Sequence, residues 1–127
     1  MSDLNSVHNR AVWMDIPVAD LDRAGRFYGA VLGIGIHPVE MEGFKFSVLE
    51  HEQGNGGCLV QKPGDVTQGG ILVHFNTNGR IRDAVSKVAA NGGKVLEDVH
   101  SIGPHGFRAL VLDSEGNRIA LHSESDR

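Results

Sequence analysis

The chain has 127 residues, the length of one compact domain, so we expect a single domain over residues 1–127. Its 12 Lys and Arg residues against 16 Asp and Glu residues give a formal net charge of −4, and no basic run is present; nucleic acid and membrane surfaces are therefore not expected partners. The single cysteine, Cys58, excludes an internal disulfide, and no apolar segment has the length of a signal peptide or a membrane span, so we expect a cytoplasmic protein.

The first half of the chain predicts a strand, a helix and three more strands. Asp20 is placed as a helix N-cap, apolar residues recur from Leu21 at helical spacing, and Gly33 is placed to end the helix. Alternating apolar residues and glycine-bearing turns predict the strands. We expect these strands at residues 11–18, 34–40, 44–50 and 57–61.

The second half repeats this order of elements. It predicts a helix with an apolar face from Ile81 to Ala89 and strands at residues 71–77, 94–99, 107–112 and 117–122. A shift of 59 residues places Gly33 on Gly92 and Ile16 on Phe75, whereas two unrelated α+β halves would show no such spacing. We therefore predict an α+β fold of two tandem βαβββ modules, about residues 11–62 and 70–123, forming a curled mixed sheet around a cavity.

Three segments resemble one known family. They are IPVADLDRAGRFYGAVLGI (Ile16–Ile34), AANGGKVL (Ala89–Leu96) and LDSEGNRIAL (Leu112–Leu121). They are similar to the vicinal oxygen chelate superfamily, which includes glyoxalase I, fosfomycin and bleomycin resistance proteins and extradiol dioxygenases. The resemblance covers about residues 11–123 and implies the glyoxalase/bleomycin resistance/dioxygenase fold and a homodimer. It identifies a fold and leaves the reaction open.

The resemblance also implies where a metal would be held. In this family one side chain from each of four strands, commonly His or Glu, binds a divalent metal. By motif, two of these positions fall at Trp13 and Ala120, and the 59-residue shift from Trp13 places a third at Leu72. Near the remaining position, Gln61 is at best a weak ligand. Because the first three have no suitable donor, the usual metal centre is not expected, and no cofactor is expected with it. The tyrosine of the dioxygenases falls at Leu110, so oxygen activation is not expected either.

Strand alternation predicts which side chains share the cavity wall. If Asp113 and Asn117 flank a turn, then Leu110 pairs with Ala120 and Arg108 lies near His122. Such a mixture of apolar and polar groups is typical of a small-molecule pocket. The predicted wall consists of Trp13, Asp15, Leu72, His74, Arg108, Leu110, Ala120 and His122, with Leu59 or Gln61 from the fourth strand.

Three interpretations of Asp15, His74 and His122 are open. In the first, they are ordinary half-buried residues. In the second, they serve metal-free acid-base chemistry or anion recognition, with Arg108 binding a carboxylate or phosphate and Trp13 stacking on a planar ligand. In the third, these same three residues form a divalent metal site shifted by two residues along the strands.

The sequence therefore predicts a glyoxalase-like protein that binds a small polar or anionic organic molecule, with or without metal-free lyase or isomerase chemistry. One alternative is a metal-dependent glyoxalase-type lyase with the shifted ligands. Another is a non-catalytic module that sequesters a drug or senses a ligand. His105, in the loop SIGPHG, is expected to be exposed and without a role.

Overall fold

The computed structural model describes residues 8–127, and the chain follows the predicted order of elements twice. The first module contains β1 (Asp15–Val18), α1 (Leu21–Leu32), β2 (Ile36–Met41), β3 (Phe44–Leu49) and β4 (Gly57–Gln61). The second contains β5 (His74–Asn76), α2 (Ile81–Val88), β6 (Lys94–Ser101), β7 (Phe107–Leu112) and β8 (Arg118–Ser123). No helix between residues 8 and 127 is long and apolar enough to cross a membrane.

The ends of α1 follow from its capping residues. The Asp20 side chain accepts a hydrogen bond from the Arg23 backbone N–H, which would otherwise lack a partner in the first turn. Gly33 adopts the left-handed conformation, with φ at 68°, that ends the helix. Both roles were expected from the sequence and both are confirmed.

Each module forms its own four-stranded sheet. The strand orders are β1-β4-β3-β2 and β5-β8-β7-β6, with β1 parallel to β4, β5 parallel to β8 and the remaining pairs antiparallel. The predicted α+β fold of two βαβββ modules is confirmed. The two sheets are separate and do not close into a barrel.

The first strand of each module, β1 and β5, is shorter than predicted. β1 starts at Asp15 and β5 at His74, so Trp13 and Leu72 each lie two residues before a strand. Both strands are the outermost of their sheets and pair on one side only, which leaves less of the segment held in regular pairing. Because Trp13 and Leu72 lie outside the strands, side-chain alternation does not determine which face of the sheet their side chains are on.

The helices cover one face of each sheet and form a shared core. A buried polar network then joins the two modules inside this core. The Tyr28 hydroxyl of α1 donates to Asp113 Oδ2 at 2.6 Å, and the Asn117 amide donates to the same carboxylate oxygen at 3.0 Å and to the Pro17 carbonyl at 2.7 Å. Because Tyr28, Asp113 and Asn117 are all buried, this network fixes the turn between β7 and β8 against the first module.

Candidate functional site

The second sheet has a polar row on the face turned away from the core. The register of its strands places His122 between Asn76 and Arg108, and Arg108 pairs in turn with His100. Cross-strand partners share one face of a sheet, so these four side chains lie side by side. We call Asn76, His122, Arg108 and His100 the His122 row. The predicted pairs of Arg108 with His122 and of Leu110 with Ala120 are confirmed.

A backbone carbonyl fixes the tautomer of His122. Its Nε2 lies 2.7 Å from the carbonyl oxygen of His105. A carbonyl oxygen only accepts, so Nε2 carries the proton, and in the neutral ring Nδ1 is free of hydrogen and acts as an acceptor. His105 was expected to have no role; its side chain is exposed, but its backbone orients His122.

The loop that supplies this carbonyl requires glycine. Gly106 has φ at 96°, a conformation that side chains rarely adopt, and an added Cβ would lie 2.5 Å from the Ser123 carbonyl oxygen and 3.4 Å from His122 Nε2. The bend at Gly106 thus brings residues 103–105 against the end of β8, where they contact His122.

Arg108 lacks a partner for part of its guanidinium. Its Nε is buried and no described residue accepts a hydrogen bond from it. The guanidinium lies near His74: burial and then the Arg108 charge lower the pKa of His74 from 6.5, with a smaller effect from His122. His74 is therefore mainly neutral at neutral pH, and the fixed charge that acts on it is the positive charge of Arg108.

Asp15 belongs to a separate group on the first sheet. Its Oδ1 accepts a hydrogen bond from Trp13 Nε1 at 3.2 Å and one from Cys58 Sγ at 3.2 Å, because Asp15 and Cys58 are register partners on β1 and β4. Burial, followed by the hydrogen bond to Asp15, raises the pKa of Cys58 to about 11, so Cys58 is a neutral thiol. The sequence did not identify Cys58 as a neighbour of Asp15.

The residues proposed from the fourth strand are corrected by this register. Leu59 pairs with Ile16 and is fully buried in the core, on the other side of the sheet from Asp15. Gln61 pairs with the core residue Val18, and its amide donates to the Ala19 carbonyl at 3.0 Å. The strand residues that share the face of Asp15 are Cys58 and Val60, because Asp15 pairs with Cys58 and side chains alternate along β4.

Two cavities lie where the modules meet, and they divide the predicted site residues. Trp13 and His74 line the larger cavity, of about 600 Å³, together with the loop of residues 50–57. Asp15 lines the smaller cavity, of about 350 Å³. Arg108, Leu110, Ala120 and His122 line neither of them and belong to the face of the second sheet. Leu72 precedes β5 and is half-buried. The predicted wall residues therefore do not all line one cavity.

The side chains present do not fit the metal of the family. Trp13, Leu72 and Ala120 have no donor atom for a divalent cation, and Cys58 on the fourth strand is a neutral thiol bonded to Asp15. The shifted set is not assembled either: within residues 8–127 no group of three or more His, Cys, Asp or Glu side chains is arranged to hold a metal ion. His122 Nε2 is already bonded to the His105 carbonyl.

Comparison with known proteins supports the fold and the first module in particular. Residues 10–50 match the family model described as bleomycin resistance protein-like N-terminal. A glyoxylase-like domain-containing protein from Didymella fabae is 27% identical over 122 residues, which are 91% of this chain and 94% of that protein.

Solved structures with the same fold have low sequence identity to this chain. A glyoxalase/bleomycin resistance protein from Albidiferax ferrireducens T118 has a TM-score of 0.69 at 22% identity, over 91% of this chain and 98% of the other. The fosfomycin resistance protein FosX from Listeria monocytogenes has a TM-score of 0.69 at 11% identity, over 91% and 93%. At these identities the likeness concerns the fold, and the reactions of those proteins do not transfer to this one. The chain therefore has the fold of glyoxalase/bleomycin resistance proteins, and its residues 10–50 are similar to the bleomycin resistance protein-like N-terminal family.

Proposed function

We propose that this protein binds a small anionic organic molecule without a metal, with Arg108 as the group that holds the anion. The observation that carries the proposal is the buried Arg108 Nε, for which no described residue supplies an acceptor. A buried donor without a partner costs about 1–3 kcal/mol, and a bound carboxylate or phosphate would supply the missing acceptor. Arginine binds such groups through two parallel hydrogen bonds.

The surroundings of Arg108 suit an anion with an organic body. Its strand neighbours His122 and His100 are histidines, and no carboxylate forms an ion pair with it among residues 8–127. His74, whose pKa the Arg108 charge lowers, also lines the larger cavity, as does Trp13. The cavity volume of about 600 Å³ lies within the range of small-molecule pockets, and Trp13 supplies an aromatic surface.

The His122 row also supplies groups for proton transfer. In neutral His122 the free Nδ1 is a proton acceptor, since the His105 carbonyl holds the proton on Nε2. His100 has the opposite arrangement, because its Nδ1 lies 2.8 Å from the Asp98 carbonyl and the free acceptor is Nε2. Lyase or isomerase chemistry would therefore use these rings and no metal. The family model that matches residues 10–50 is described as bleomycin resistance protein-like, which also supports a small-molecule ligand. The homodimer and the cytoplasmic location stay predictions.

Calorimetric titration with small carboxylates and phosphonates tests the proposal. We expect Arg108→Gln to weaken binding at least about tenfold, the loss of one charge-assisted hydrogen bond, with a melting temperature within a few degrees of the parent. Arg26→Gln is the matched control, because Arg26 is an exposed arginine on α1. The affinity should be the same with and without a chelator.

Two results would contradict the proposal. Equal affinity of the parent and of Arg108→Gln would show that the guanidinium does not hold the anion. Affinity or turnover that disappears in the chelator and returns with a divalent cation would favour the metal-dependent alternative.

A further inference from the structure

The smaller cavity contains a second arginine whose charge is not matched. This cavity lies between β1, the start of β8 and the segment that connects the modules. Arg118 lines it, and the Arg118 Nε is buried with no acceptor among the described residues. The guanidinium makes one long hydrogen bond, from Nη2 to the Gly70 carbonyl at 3.4 Å. As with Arg108, the guanidinium is held in place with a donor left free.

The wall opposite β8 is a well-anchored segment. Thr67 N–H donates to the Asn117 side chain at 3.2 Å, and the Thr67 carbonyl accepts from the Arg118 backbone N–H at 3.1 Å. Gly69 N–H closes a turn on the Thr67 hydroxyl at 3.0 Å. The connecting segment is thus fixed to the strand that carries Arg118, and the cavity between them has a defined shape.

The cavity also contains two carboxylates. Asp15 and Asp65 both line it, and neither forms an ion pair with Arg118 within the part of the chain that the structure describes. The hydrogen bonds to the Asp15 side chain go to Oδ1, which leaves Oδ2 available. Much of the remaining wall is apolar and includes Ile16, Pro17, Val73, Phe75 and Ile119.

These charges favour a ligand that has both a positively and a negatively charged group. A simple anion would satisfy Arg118 but would lie beside two carboxylates, and a simple amine would satisfy the carboxylates but leave the Arg118 Nε without an acceptor. A zwitterion with an apolar side chain satisfies all three groups and the apolar wall. The volume of about 350 Å³ is near the lower end of small-molecule pockets, so the ligand is no larger than a single amino acid or a molecule of similar size.

We propose that the smaller cavity is a separate binding site for a small zwitterion with an apolar side chain, of the free amino acid class. Its carboxylate binds Arg118, its ammonium group binds Asp15 and Asp65, and its side chain packs on Val73 and Ile119. This site is distinct from the anion site at Arg108, which does not line this cavity.

Titration of the full chain with three probes tests the proposal. L-leucine has both charges, isopentylamine lacks the carboxylate and N-acetyl-L-leucine lacks the ammonium group. We expect L-leucine to bind and each analogue to bind at least about tenfold more weakly, because each loses a charge-assisted contact. Arg118→Gln should weaken the binding of L-leucine by a similar factor, and Asp15→Asn should weaken this binding as well.

Two further variants separate this site from the proposed function and from a folding defect. Arg108→Gln should leave L-leucine binding intact even though we expect it to weaken anion binding at least about tenfold. Arg118→Lys keeps the charge but removes the planar donor pair, so it should bind L-leucine with intermediate affinity while retaining the parent melting temperature. The proposal is overturned if L-leucine does not bind the parent, if the three probes bind equally, or if Arg118→Gln binds L-leucine like the parent.

Discussion

Glu115 joins the two modules, and its removal gives the most quantitative test of this fold. Its side chain is fully buried in the turn between β7 and β8. Oε1 accepts from the backbone N–H groups of Ala19 and Asp20, both at 2.9 Å, and from Arg23 Nη2 at 2.8 Å. Oε2 accepts from Arg23 Nε at 2.7 Å and from the Ser114 hydroxyl at 2.8 Å. One carboxylate of the second module thus binds the beginning of α1 in the first.

The pKa of Glu115 gives the size of this interaction. Burial opposes ionisation of the carboxyl, but the hydrogen bonds from Arg23, Asp20, Ser114 and Ala19 outweigh it and lower the pKa from 4.5 to about 2. A shift of this size corresponds to about 3 kcal/mol of folding free energy. Because Arg23 is half-exposed, solvent weakens its contribution, and about 2 kcal/mol is the loss we expect from Glu115→Gln.

The pH dependence has a definite sign. The folded pKa lies below the unfolded one, so the contribution of Glu115 is fully present above its usual pKa of 4.5 and disappears as the pH falls through about 2. Less than half of it remains at about pH 3. The difference in unfolding free energy between the parent and Glu115→Gln should therefore be largest at neutral pH and should shrink on acidification.

Urea denaturation followed by circular dichroism at several pH values measures this difference. At neutral pH we also expect a fall in melting temperature of about 3–5 °C for each kcal/mol lost. Asp83→Asn is the control, because Asp83 also has a lowered pKa, from its bonds to Arg80 and Lys87, but lies on the surface, where such pairs contribute little. A stability difference for Glu115→Gln that is the same at neutral and acid pH would refute the reasoning.

Two further predictions concern the core and the polar face of the second sheet. Tyr28→Phe removes the hydrogen bond to buried Asp113 and should cost about 2 kcal/mol in urea denaturation; a loss below about 0.5 kcal/mol would show that the network is not tight. In an NMR titration of the histidine rings, His74 should titrate below 6.5, and Arg108→Gln should raise its pKa towards that value. An unchanged His74 midpoint in Arg108→Gln would place the guanidinium away from the ring.

Local sequence signals were sufficient to predict the helices and strands and the pairing of two strands that a short turn connects. Asp20 and Gly33 mark the ends of α1 because capping depends on neighbouring residues alone. The pairing of Arg108 with His122 and of Leu110 with Ala120 was predictable because a single turn connects β7 and β8 and fixes their register. The repeat of 59 residues likewise predicted two βαβββ modules.

Pairing between distant segments was not predictable from local signals. β1 and β4 are separated by a helix and two strands, and their register places Cys58 beside Asp15 instead of the expected Leu59 or Gln61. A one-residue difference in register moves every side chain to the other face of a strand. The pattern of residues in β4, which is buried on both faces apart from its last residue, contains no alternation that would reveal this register.

The amino-acid sequence by itself determined the elements and the repeated order of the modules, because each depends on residue identity and short-range spacing. Only the tertiary structure decided how the modules meet. That arrangement divides Trp13, His74 and Asp15 between two cavities and leaves buried donors of Arg108 and Arg118 without acceptors. The physical reason is that burial and hydrogen-bond partnership belong to groups brought together from distant parts of the chain, and no local pattern specifies them.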